Sequence, residues 1–121
     1  MTVEQMVKVA YDAIDDKLGQ DISIINIGQV SSLCDYFIIA TASSSRQVKA
    51  IADSVQDAFT EQGIEPRAKE GYDTQTWILL DYGDIIVHVF DEENREFYNL
   101  ERIWNDGIRI DNIETIDGME A

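Results

Sequence analysis

Side chains able to do chemistry are few in this chain. His88 is its only histidine and Cys34 its only cysteine. A cysteine and a histidine can act as nucleophile and base, but neither lies in a local signature of such sites. One of each cannot build a zinc set. His88, between Val87 and Val89, also fits a structural strand residue, with Asp81 placed to hydrogen-bond to it. Ser43, Ser44 and Ser45 precede a helical stretch, where backbone N–H groups could hold a phosphate. No Gly-rich, lysine-containing P-loop accompanies them, and helix capping explains the serines better. A strand, serines and a helix also suit a nucleotidyl or phosphoryl transferase, whose Mg²⁺ needs two close carboxylates. On one strand such a pair occupies alternate positions. Asp81 and Asp84 fall instead on opposite sides of a turn, and the pair is missing.

The element that must position His88 and Asp81 is a hairpin over residues 77–90. Gly83-Asp84 supplies its two central residues, glycine first, as a type II′ turn requires. This register sets Trp77 opposite Phe90, Leu79 opposite His88 and Asp81 opposite Ile86. Ile78, Leu80, Tyr82, Ile85, Val87 and Val89 then share one face, which is core. The other face holds Trp77, Leu79, Asp81, Ile86, His88 and Phe90. A half-exposed hairpin has one clearly polar face; this one does not. The second face is therefore covered by the C-terminal helix or reserved for a partner.

Around the hairpin the pattern gives α-β-β-α-β-β-β-α. Thr2 and Gln5 form a capping box ahead of Met6, Val7, Ala10, Ala13, Ile14 and Leu18 at helical spacing, and Gly19 ends the run. Ile22 to Ile27 suit a strand. Tyr36–Ala40 is short and continuously apolar, as in a strand buried on both faces. Ser44 and Gln47 offer a second capping box before Val48, Ile51, Ala52, Val55, Ala58 and Phe59, with Gly63 closing that helix. Residues 66–70 suit a charged edge strand. Asp91 caps a last helix carrying Phe97, Leu100, Ile103 and Trp104. The expected fold is a single α/β domain on a mixed sheet over residues 1–107, followed by an acidic tail over 108–121.

Bulk properties narrow the function. The chain has 121 residues, 45% of them hydrophobic, one proline, and a net charge of −15 from 9 Lys and Arg against 24 Asp and Glu. No apolar run approaches the ~20 residues of a membrane span, and a lone cysteine fits a reducing compartment. The expectation is a cytoplasmic domain with no membrane contact. The negative field repels phosphate backbones, which argues against nucleic acid as the main contact. It would attract a basic protein, although acidic surfaces also serve solubility alone.

Four blocks in order carry a family resemblance. They are Ser32–Thr41, Ser44–Val48, Trp77–Phe90, and Arg95, Phe97, Tyr98, Leu100, Glu101 and Trp104. Together they resemble the ribosomal silencing factor (Iojap) family over about residues 3 to 107. The resemblance implies a fold related to nucleotidyltransferases without their catalysis, and no cofactor or metal. It implies binding to the large ribosomal subunit through its L-fourteen protein, where the small subunit docks, so that joining is blocked and translation falls. It also implies a contact surface at the hairpin, which maps onto Trp77, Leu79, Asp81, Tyr82 and His88. Tyr82 conflicts with the register above, which turns it into the core. A homodimer through the aromatic face is a further possibility that could coexist with ribosome binding or compete with it.

Overall fold

The computed structural model describes residues 1–110 and 113. Its elements are α1 (Val3–Asp16), β1 (Gln20–Asn26), β2 (Tyr36–Ala42), α2 (Ser45–Glu61), β3 (Ala68–Glu70), β4 (Trp77–Asp81), β5 (Ile85–Asp91), α3 (Glu92–Tyr98), α4 (Leu100–Ile103) and β6 (Ile108–Ile110). The six strands form one mixed sheet in the order β3-β4-β5-β2-β1-β6. β2 and β5 are parallel; the other neighbours run antiparallel. The mixed α/β fold expected from the sequence is the one found.

Strand alternation sorts the apolar residues into two layers. Val7, Ala10 and Ile14 of α1 and Val48, Ile51, Val55 and Phe59 of α2 pack on one sheet face, against Ile38, Ile78, Leu80, Val87 and Val89. All of these are fully buried, each such large side chain contributing ~1.5–3 kcal/mol. β2, central in the sheet, is buried at every position, which is why its sequence shows no alternation. The opposite face carries a smaller layer of Ile25, Ile27, Cys34, Phe37, Ile39 and Phe90.

The hairpin register is as expected from Trp77↔Phe90 to Asp81↔Ile86. Gly83 takes a φ of +87°, a region open to glycine but strained for other residues. The Tyr82 N–H donates to the Ile85 carbonyl at 2.9 Å, so Gly83 and Asp84 are the two loop residues as expected. Within the loop the Asp84 N–H donates to the Tyr82 carbonyl at 3.1 Å, a γ-turn contact.

Three expectations need correction. The chain beyond Gly107 does not begin as a tail: β6 adds Ile108–Ile110 to β1, and Ile113 packs on the helix-side layer. The rest of the expected tail (111, 112 and 114–121) lies outside the described residues. The last helix is broken, because Asn99 adopts a left-handed conformation (φ 41°), which Asn tolerates, and caps α4 through its side chain. The Ser44–Gln47 capping box is half formed. The Gln47 N–H donates to Ser44 Oγ at 3.1 Å, but the Gln47 amide oxygen accepts from the N–H and hydroxyl of Ser43. Its NH₂ donates to the Lys17 and Leu18 carbonyls, tying α2 to the end of α1.

That end of α1 holds a strained residue. The Leu18 N–H donates to the Asp15 carbonyl and the Gly19 N–H to that of Ile14, a Schellman closure with Leu18 at the left-handed position. Leu18 has φ +63° and is 75% exposed, so its side chain contributes little burial to offset the strain. Gly19 serves close approach: a Cβ there would sit 2.4 Å from the Ile14 side chain. Leu18→Gly is expected to stabilise the fold by ~0.5–1 kcal/mol, the left-handed strain exceeding glycine's extra unfolded entropy. Chemical denaturation checks this, and a lowered midpoint would contradict it.

Candidate functional site

The second sheet face answers the question the hairpin posed: a helical segment covers part of it. Asp91 caps α3 by accepting from the Asn94 N–H at 2.8 Å. α3, the break at Asn99 and α4 then cross above β5, β2 and β1. Trp104 meets Phe37 edge-on at 5.4 Å. Tyr98 lies 4.6 Å from the Trp77 ring and 6.1 Å from Phe90. Under this cover Phe37, Phe90 and His88 are buried. Trp77, Leu79 and Asp81 of β4, with Ile86 of β5, remain half-buried. Beside them the edge strand β3 is exposed throughout.

A polar clasp holds the cover down. Arg95 donates through Nε to Glu101 at 2.9 Å, through Nη1 to Thr41 Oγ1 at 2.8 Å and through Nη2 to Ser23 Oγ at 3.2 Å. Ser23 donates in turn to the other Glu101 oxygen at 2.8 Å, and Arg109 of β6 lies 3.8 Å from it. Burial works to raise the Glu101 pKa. Hydrogen bonds from Arg95 and Ser23, with the charges of Arg95 and Arg109, outweigh it and hold the carboxyl below its usual range. A cleft of about 460 Å³ opens over this clasp, lined by Asp21, Ile22, Ser23, Arg95, Glu101 and Arg109. The sequence offered Arg95 and Glu101 only as motif positions. Their pairing shows once Asn99 breaks the helix.

Of the five residues expected at the contact surface, the fold leaves three accessible. Trp77, Leu79 and Asp81 line one side of β4. Tyr82 is buried, its ring 4.2 Å from Phe59 and its hydroxyl without a hydrogen-bond partner among the described residues, so it belongs to the helix-side core as the register demands. Burial pushes its hydroxyl pKa up. His88 is 4% exposed and cannot meet a partner directly. Nor does it bond to Asp81. Trp77 Nε1 donates to His88 Nδ1 at 3.1 Å, using the other diagonal neighbour on the same face. The Asp81 carboxylate instead accepts from the Gly83 N–H at 2.8 Å and lies 3.7 Å from Arg67, whose side chain is 72% exposed.

The groups weighed for chemistry have structural partners. The Ser43 and Ser44 hydroxyls bond to Gln47. The Cys34 thiol is buried, donates to the Tyr36 carbonyl at 3.3 Å, and has its pKa pushed up to about 12, chiefly by burial. The thiolate is the reactive form, so native protein at pH 8 is expected to resist iodoacetamide while unfolded protein takes up one equivalent. Mass spectrometry reads this directly, and rapid native labelling would contradict it. Burial also holds His88 neutral, its pKa pushed down to about 4. Among the described residues no three His, Cys, Asp or Glu side chains converge as a metal set, and no helix is long and apolar enough to cross a membrane.

Comparison with known proteins places this arrangement among relatives. A family model described as ribosomal silencing factor during starvation matches residues 1–120. The chain is 41% identical over 106 residues to the ribosomal silencing factor of Bacillus subtilis (strain 168), covering 88% of this chain and 90% of that one. It is 30% identical over 89 residues to the mouse (Mus musculus) protein named mitochondrial assembly of ribosomal large subunit protein 1, covering 71% of this chain and 39% of that one. A crystal structure of protein CV0518 from Chromobacterium violaceum superposes with a TM-score of 0.85 at 37% identity, covering 87% of this chain and 88% of that one.

Proposed function

The chain belongs to the ribosomal silencing factor family, and we propose that it lowers translation by binding the large ribosomal subunit through its L-fourteen protein. Seated there, in the cytoplasm, it blocks docking of the small subunit by occupying space and performs no catalysis. The observation that carries this reading is the half-buried row Trp77, Leu79 and Asp81, which the helical segment covers only in part, Tyr98 reaching the Trp77 ring. Tryptophan concentrates at the energetic centres of interfaces, and Leu79 and Ile86 extend it with apolar surface. Asp81 offers a carboxylate whose ion-pair partner among the described residues, Arg67, is long and solvated. Such a pair is worth little, so a basic group on the partner can replace it. The net charge of −15 favours encounter with a basic protein and discourages contact with the surrounding RNA. The mouse relative's name, which refers to assembly of the large ribosomal subunit, agrees with that choice of subunit.

Sedimentation of purified subunits tests the proposal. Added protein is expected to co-sediment with large subunits and to reduce the joined fraction. Failure to co-sediment, or undiminished joining at saturation, would overturn it.

A further inference from the structure

Building on the partner-surface reading above, we propose that His88 is a positioning residue for binding. It accepts the Trp77 indole N–H on Nδ1, holds that ring in the orientation the partner receives, and touches no partner itself. His88 is too deeply buried for contact, at 4% exposed, whereas Trp77 is only half-buried on the same face. Two neighbours confine the plane of the Trp77 ring: Phe90, stacked at 4.9 Å with 27° between planes, and Tyr98 at 4.6 Å. These contacts constrain the plane more than they choose between the two broad wells of the outer torsion. The N–H to Nδ1 bond at 3.1 Å favours the well in which the pyrrole edge of the indole faces His88.

The acceptor is itself fixed. His88 sits on β5, paired on both sides by β2 and β4. Its imidazole stands edge-on to Phe37 at 4.9 Å and lies nearly parallel to Phe90, 9° between planes. Accepting on Nδ1 places the ring hydrogen of the neutral imidazole on Nε2, and that buried atom has no hydrogen-bond partner among the described residues. A buried unpaired donor is unfavourable, and phenylalanine would fill this aromatic site without one. What histidine adds over phenylalanine is the acceptor aimed at Trp77. Ordering an interface side chain before contact lowers the entropy lost on binding, and Trp77 is the side chain ordered here.

The test combines H88F, H88N and W77A, binding to isolated large ribosomal subunits, and nitrogen-15 spectra of the two tryptophan indoles. Trp104 serves as the internal reference. H88F keeps a ring but no acceptor. It is expected to weaken binding roughly 3- to 10-fold and to shift the Trp77 indole resonance while leaving that of Trp104 in place. H88N puts an amide oxygen near the Nδ1 position and is expected to restore most of the affinity. Native affinity in H88F, with W77A impaired, would overturn the positioning role alone. Undiminished binding by W77A would overturn the partner surface and the positioning role together. One further measurement needs no variant: exchange of the Trp77 indole proton with solvent as fast as in free tryptophan would refute the hydrogen bond.

Discussion

Trp77→Ala is expected to weaken binding to the isolated large ribosomal subunit by ~2–4 kcal/mol, roughly 30- to 1000-fold in affinity. The expectation rests on where the ring stands. It is half-buried in the free protein, backed by Phe90 and flanked by Tyr98. A partner therefore meets an aromatic already ordered, with Leu79 beside it and Asp81 one step further on the same side of β4. Truncation removes the largest apolar surface in that row and the donor to His88. The fold also loses some stability, since Phe90 is uncovered, so binding should be measured where circular dichroism shows the variant folded. Lys49→Ala is the control. Lys49 is exposed on α2, paired with Asp53, and α2 packs on the opposite sheet face, so this change should leave affinity unaltered. Equal binding by W77A and the native protein would remove the hairpin from the interface.

Much of this surface can be derived from residues 77–90 alone. A glycine able to take positive φ fixes the turn, the pleat fixes the faces, and the observed pairing follows residue for residue. Tyr82 shows what happens when a family role is set above the register: the pleat had already turned it inward, and the structure agrees with the pleat. His88 has two diagonal neighbours on its face, Trp77 and Asp81, and alternation cannot choose between them. The Gly83 N–H, one turn away, decides by taking the Asp81 carboxylate. The break at Asn99 was hidden because Phe97, Leu100, Ile103 and Trp104 keep helical spacing across it. A single left-handed residue leaves that spacing intact while redirecting the chain. β6 is three residues long and pairs with β1, far away in sequence. Its Ile-Arg-Ile alternation is too short to stand out, and only Ile110 is buried. The Arg95–Glu101 clasp depends on both of these hidden features, since Glu101 follows the break and Arg109 lies on β6.

Acidification from pH 7 to pH 4 is expected to remove about 3 kcal/mol of folding stability through His88 alone. Burial pushes the His88 pKa from 6.5 down to about 4, so the folded protein refuses a proton that the unfolded chain accepts. Above pH 6.5 both states are neutral at this site and its contribution is fully present. As pH falls from 6.5 towards 4, only the unfolded state gains the proton, and stability drops. Below about 4 both states are protonated and the His88 contribution levels off. Geometry works in the same direction, because a protonated Nδ1 becomes a donor and can no longer accept from Trp77. Glu101 adds a second loss at lower pH: its folded pKa is depressed, so its stabilisation fades as the folded carboxyl takes a proton. The chain carries 24 Asp and Glu, and the comparison must therefore be differential. Urea denaturation of native protein and H88N at pH 7, 6, 5 and 4 supplies it. The stability difference between the two should shift by about 3 kcal/mol against the native protein across that range. A difference that stays constant with pH would show that His88 titrates alike in the folded and unfolded states, and that the site beneath Trp77 is open to water.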